Sequence, residues 1–229
     1  MNQNKVTLLG YYGGDETHCL SAWTSTFSET GIELPENIYN RTNTLYYATY
    51  PGKRSTPEQL LSMLAKEKHH TPFEKSLLHF QILVEDASHI QSLKHRIGVS
   101  INGESARYKE LMEDRFYIPH DWPEDAQKEL EHYSNLLNSI YHKYVDKLTP
   151  LLGRDRAKES ARFFKMKNSQ IILDVSFNFR SFMHFQGLRY APKAQLEIRE
   201  IAQSMLQQVR EIPGNPFELS LKAFGYGQE

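Results

Sequence analysis

The sequence predicts an α+β fold. Strand-like and helix-like stretches are interspersed along its 229 residues, and they do not alternate as regular βαβ units. Length and composition agree with one domain over residues 1–229. The chain is long enough to bury a real core, is 39% hydrophobic and 12% aromatic, and shows no repeat, linker or low-complexity tract.

The elements follow in order. "KVTLLGYY" (5–12) combines β-branched and aromatic residues as a strand does, and Gly13 and Gly14 end it. After a loop punctuated by Pro51 and Gly52, "STPEQLLSMLAKE" places Ser and Thr before Pro57 and Glu58. That is a helix start, with Leu60, Leu61 and Leu64 on one side and an expected end near Lys68. "SLLHFQILVED" (76–86) reads as a half-buried strand. "DASHIQSLKHRIG" reads as a helix capped by Asp86 or Ser88, with Ile90, Leu93 and Ile97 facing the core and a stop at Gly98. From Pro123 a long helix is expected, with Leu130, Tyr133, Leu137, Ile140, Tyr141 and Tyr144 on its apolar face. "RDRAKESARFF" predicts another helix, "SQIILDVSF" (169–177) a strand, and "AQLEIREIAQSMLQQV" a helix with Ile198, Ile201, Ala202, Met205, Leu206 and Val209 inward.

Composition bounds the function. Acids and bases nearly cancel, for a net charge of −1, so any anion binding must come from local clusters, and a nucleic-acid footprint is not expected. No apolar run approaches the roughly 20 residues of a membrane span, and the N-terminus lacks a secretion-signal pattern, so a cytoplasmic protein is expected. Cys19 is the single cysteine, which excludes a disulfide framework and a Cys-rich zinc site, and no metal is expected.

Two clusters carry the chemistry. "KHRIGVSINGESARY" (94–108) groups Lys94, His95 and Arg96 with Ser105 and Arg107. "NFRSFMHFQGLRY" (178–190) places Asn178 and Arg180 at the mouth of a strand, with His184 and Arg189 farther along. Guanidinium forks bind phosphate or a pyrimidine carbonyl edge through two parallel bonds, so an anionic, hydrogen-bond-rich ligand such as a nucleotide is the natural occupant. Solvated surface cations are the competing reading, and "HHTPFE" (69–74) taken alone reads equally as a turn with a capping threonine.

Together these blocks resemble the flavin-dependent thymidylate synthases, the ThyX family. The first resembles that family's R-H-R, seven residues, S-x-R-Y signature. "HHTPFE" is similar to its H-x-T/S-P-F-E, and "NFRSFMHFQGLRYAPKAQLEIRE" to its N-x-R-S-x-x-x-F-x-x-L-R and A-Q-x-E-I-R blocks. The resemblance implies a single domain with a mixed sheet flanked by helices, usually a homotetramer with shared active sites. It also implies FAD as cofactor, NADPH as its reductant, 5,10-methylenetetrahydrofolate as carbon donor, and reductive methylation of dUMP to dTMP.

By position, the resemblance places Thr71 and Glu74 in a flavin-contacting loop, and Lys94, His95 and Arg96 at the flavin, with Lys94 also reaching nucleotide. Asn102 goes with the cofactor set, and Asn178, Phe179, Arg180 and His184 with flavin contacts. Gln91, Glu104, Ser105, Ala106, Arg107 and Arg162 fall on the dUMP side, Arg162 reaching it from a neighbouring chain. Arg189 corresponds to the arginine that stabilises ionised uracil N3 and thereby activates C5. Lys94 stands where arginine is usual, eight residues rather than seven separate Arg96 from Ser105, and Lys193 stands where histidine is frequent. A V-L-P run expected after the remote arginine is replaced by "RFFKMKN". A ThyX-like methylase of UMP, and a non-catalytic nucleotide- or RNA-binding module, remain the alternatives.

Overall fold

Four strands hydrogen-bond in the order β1-β2-β4-β3, every pair antiparallel: β1 is Lys5–Tyr12, β2 Leu77–Glu85, β3 Val99–Gly103 and β4 Gln170–Asn178. The sheet of this computed structural model is therefore not mixed: Tyr12 at the end of β1 pairs with Leu77 at the start of β2, so the chain re-enters the sheet at the end it left, and β4 runs antiparallel to both β2 and β3. The structure describes residues 3–24, 56–105 and 107–227, so the Pro51–Gly52 loop and Ala106 lie outside the described residues.

The helices are α1 (Asp15–Thr24), α2 (Pro57–Lys66), α3 (Asp86–Ser92), α4 (Glu124–Leu152), α5 (Arg154–Ala161), α6 (Phe179–Arg189), α7 (Leu196–Arg210) and α8 (Glu218–Ala223). No described helix is long and apolar enough to cross a membrane. α2 starts where the sequence predicts, with Thr56 and Gln59 forming a reciprocal capping box. "TPFE" is a 3-10 turn, Thr71–Glu74, whose N-cap is His70, so Thr71 does not cap it.

One face of the sheet is the core. Leu78, Phe80, Ile82 and Val84 of β2 and Leu173, Val175 and Phe177 of β4 alternate inward, as a half-buried strand requires. α7 covers them with all six predicted residues buried, and α6 adds Phe179, Phe182 and Phe185.

Two expectations are corrected. α3 ends at Ser92, capped at its start by Glu85, whose carboxylate accepts from the Ser88 N–H. Ile90 and Leu93 are substantially exposed and Ile97 is 84% exposed, while His95 is buried. The helix stops because the chain must turn into β3, which leaves the apolar triplet without a core to face. In α4 the buried stripe is Ser134, Asn138, Tyr141 and Val145, and Tyr133 is 47% exposed. Here loop carbonyls set the rotation of the helix: Asn138 Nδ2 donates to Asp114 O (3.0 Å), and Tyr141 Oη accepts from Leu111 N (3.2 Å).

α1 buries His18 completely among Phe73, Phe179 and Phe217. Its ring nitrogens meet Ser220 Oγ (2.8 Å) and Ser76 Oγ (2.7 Å), and burial pushes its pKa down to about 3. Between that value and the ordinary 6.5, the unfolded chain takes up a proton that the native chain refuses, so stability falls as pH drops through this window. Nearby Asp15 accepts from Leu219 and Ser220 N–H groups, and burial raises its pKa to about 6. It acts in the opposite sense, because between about 3.8 and 6 the native chain holds its proton more firmly. Comparing the wild type with His18→Gln isolates the histidine. In denaturant titrations from pH 6 to pH 4, the wild type should lose about 1.4 kcal/mol per pH unit relative to the variant. Parallel pH curves would contradict this.

Candidate functional site

The site is built at the junction of β4 and α6. Asn178 ends the strand and caps the helix, its Oδ1 accepting from Ser181 N at 2.8 Å. Ser181 Oγ donates to Ile97 O (2.6 Å), and Asn178 N donates to Gly98 O (2.9 Å), so the segment 94–98 is held against the first turn of α6. Gly98 makes this approach possible. Its φ is +65°, and a Cβ there would sit 2.2 Å from Asn178 Nδ2 and 2.4 Å from Ser181 Oγ.

Between these elements opens a cleft of about 780 Å³, lined on one side by Lys94, His95 and Arg96 and on the other by Arg180, His184 and Arg189. Arg180, His184 and Leu188 recur every four residues and so share one flank of α6, with Arg189 beside them. Lys94, Arg96 and His184 are exposed, and Arg180 is ion-paired with Glu74 of the 3-10 turn.

Arg189 is half-buried beside the buried His95. Its Nε donates to His95 Nε2 (3.1 Å), Nη1 to Gln91 Oε1 (3.2 Å) and Nη2 to Gln91 O (3.2 Å). Gln91 is held in turn, its Nε2 donating to Gln195 Oε1 at 2.7 Å. To accept from a guanidinium, His95 must be neutral with its proton on Nδ1. Burial, and then the charges of Arg189 and His184, lower the His95 pKa to about 4, which keeps it so. Partial burial also lowers the pKa of Arg189.

The structure thus gathers Gln91, Lys94, His95, Arg96, Arg180, His184 and Arg189, with Glu74 behind Arg180. Other expected residues stand elsewhere. Phe179 is fully buried and stacked on Phe217 (5.3 Å between centroids, 4° between planes), so its ring faces the core rather than a ligand. Asn178 spends its Oδ1 on the helix cap, and Thr71 is exposed outside the cleft lining. Asn102 lies on the solvent side of β3, opposite Asp174.

Glu104 accepts from Lys109 Nζ (2.8 Å), Arg115 Nη2 (2.5 Å) and Ile172 N (3.1 Å). Ser105 Oγ accepts from Arg107 N (3.3 Å), and Arg107 Nε donates to Glu159 Oε1 of α5 at 2.7 Å. Arg162 is exposed on the 3-10 turn that follows α5. Within one chain most of the predicted cations therefore fall into two groups, one around the cleft and one, Arg107 and Arg162, beside α5.

Two aromatic lining residues, His70 and Phe224, are not among the predicted site residues. His70 stands beside a second histidine in "HHTPFE" and was legible only as part of that motif. Phe224 lies 154 residues beyond His70, where nothing local marks it.

The family model described as "Thymidylate synthase complementing protein" matches residues 7–213. A flavin-dependent thymidylate synthase of Thermosipho melanesiensis is 34% identical over 186 residues, which cover 75% of this chain and 80% of the relative. One of Clostridium tetani is 25% identical over 235 residues, covering 94% and 86%. In fold, the chain is similar to the UMP/dUMP methylase PolB from Streptomyces cacaoi, solved with 5-Br dUMP. The TM-score is 0.74 at 20% identity, covering 99% of this chain and 96% of that one.

Proposed function

The chain belongs to the thymidylate synthase complementing protein family, whose relatives named above are flavin-dependent thymidylate synthases, and from that premise we propose that it converts dUMP to dTMP by reductive methylation. The flavin is FAD reduced by NADPH, and 5,10-methylenetetrahydrofolate is the carbon donor. The observation that carries this reading is the bridge from Gln91 and neutral His95 to Arg189 inside a cation-lined cleft.

The residues present suit such a cofactor. Lys94, Arg96 and Arg180 bring fixed positive charge to a cleft otherwise lined by Ile97, Val99, Met183, Leu188 and Phe224, a combination that can hold phosphates at one place and a flat apolar ring at another. When bound, the flavin supplies the reducing equivalents that turn a transferred methylene into a methyl group. Arg189 presents its guanidinium to the pyrimidine edge and stabilises negative charge developing at N3 and the adjacent carbonyl oxygen, which raises electron density at C5. His95 and Gln91 fix the plane of that guanidinium, and the neutral imidazole adds no competing charge.

Arg107, Ser105 and Arg162 supply the phosphate side of the nucleotide site. Because they cluster beside α5 rather than in the cleft, the complete site is formed when a second copy of the chain brings its α5 region to this cleft, within a homotetramer. Purified protein should be yellow and should form dTMP from dUMP, methylenetetrahydrofolate and NADPH. A colourless protein that binds no flavin would sink the proposal, and the same assay with UMP measures selectivity at the ribose 2′ position.

A cysteine nucleophile has no place in this chemistry. Cys19 is 2% exposed, and burial, then the charges of Asp15 and Glu16, push its thiol up to about 12. Cys19→Ser should keep kcat within about twofold, at a stability cost of roughly 1 to 2 kcal/mol for burying a hydroxyl. An inactive variant that is folded and flavin-loaded would overturn electrostatic activation.

A further inference from the structure

Beyond residues 7–213, which match the family model, the chain passes through α8 into "AFGYG" (223–227) and returns to the cleft. Phe224 lines the cleft beside His70, their ring centroids 5.2 Å apart. Behind it, Phe73 meets Phe224 edge-on at 4.9 Å, and Phe179 does so at 6.0 Å. Phe224 thus has an aromatic backing on the core side and is half-exposed.

The segment is pinned in place. Tyr226 N donates to Leu221 O (2.8 Å), and the Arg210 guanidinium donates to Tyr226 O at 2.9 and 3.2 Å. The Tyr226 ring packs edge-on against Tyr190, the residue after Arg189, with centroids 5.9 Å apart. The segment therefore braces both the cleft wall and the end of α6.

We propose that Phe224 and His70 form an aromatic wall that receives a planar fused-ring heterocycle of a bound ligand, either the ring system of the flavin or the pterin of the folate donor. The inference rests on the flavin-dependent reading above. The cations of the cleft sit on the 94–96 segment and on α6, so phosphates and carboxylates are drawn there, which leaves the ring-lined wall for the flat, weakly charged part of a ligand. A fixed ring loses little conformational freedom on stacking, so the wall adds affinity without closing the cleft.

The test titrates flavin-stripped protein with FAD, followed by flavin fluorescence, and measures KM for methylenetetrahydrofolate on loaded protein, for wild type, Phe224→Leu and His70→Leu. Leucine at 224 keeps most of the core filling and removes the ring face. If the flavin ring occupies the wall, both variants weaken FAD binding about tenfold. If the pterin occupies it, FAD affinity holds and the folate KM rises about tenfold. Unchanged FAD affinity and folate KM in variants with native circular dichroism overturn the inference. Should Phe224→Leu fail to fold, His70→Leu decides by the same two readouts. Wild-type protein that binds no flavin would overturn the flavin-dependent reading itself and this inference with it, an outcome distinct from a flavin-loaded wild type with indifferent variants.

Discussion

Arg189→Ala is expected to lower the rate of dTMP formation about a hundred- to a thousandfold, the cost typical of deleting one preorganised donor to a developing anion. The protein should remain folded, because Arg189 is only partly buried and the Gln91 acceptors it leaves can turn to water at the cleft wall, a loss of roughly 1 kcal/mol. Arg189→Lys should fall between the two, since it keeps the charge but cannot span His95 Nε2 and both Gln91 acceptors. Steady-state kinetics with circular dichroism and flavin absorbance would check this. An alanine variant that retains a tenth or more of the wild-type rate would remove Arg189 from the chemistry.

Gly98→Ala is the second large effect, and it acts through the backbone. A residue with a Cβ at φ +65° costs about 1 to 2 kcal/mol in the left-handed region. The Cβ would also overlap Asn178 Nδ2 and Ser181 Oγ, neither a flexible chain end, because one side chain caps α6 and the other binds Ile97 O. Adding an overpacking cost of about 1 to 3 kcal/mol gives a destabilisation of roughly 2 to 5 kcal/mol. Relief of the clash would move the segment 94–98, so flavin should be lost on gel filtration even if the fold survives. A variant that keeps both its melting midpoint and its flavin would show that the tie between Gly98 and α6 does not shape the site.

Patterns with a strong local cause were readable in the sequence. α7 repeats its apolar residues at helical spacing and buries all six, and Thr56 with Gln59 fixes the start of α2 by local hydrogen bonds alone. α1 and α8 were not foreseen. Each is short, and they are joined by His18 against Ser220 and Asp15 against the Leu219 and Ser220 N–H groups, polar pairings that span about 200 residues. The α3 region misled for a related reason: Ile90, Leu93 and Ile97 have helical spacing, yet spacing cannot say whether a core lies opposite.

The sequence by itself determined the α+β class, the main strands and helices, the family blocks and the residue types that would meet an anionic ligand. Those follow from local periodicity, capping and motif spacing. Only the tertiary structure decided that His95 is buried and neutral against Arg189, that Phe179 stacks on Phe217 and Glu104 pairs with Arg115, and that Phe224 comes back to the cleft. Each of these depends on which groups face one another across the chain. Burial, and with it protonation state and side-chain direction, is set by such long-range neighbours, whereas spacing along the chain reports only the near ones.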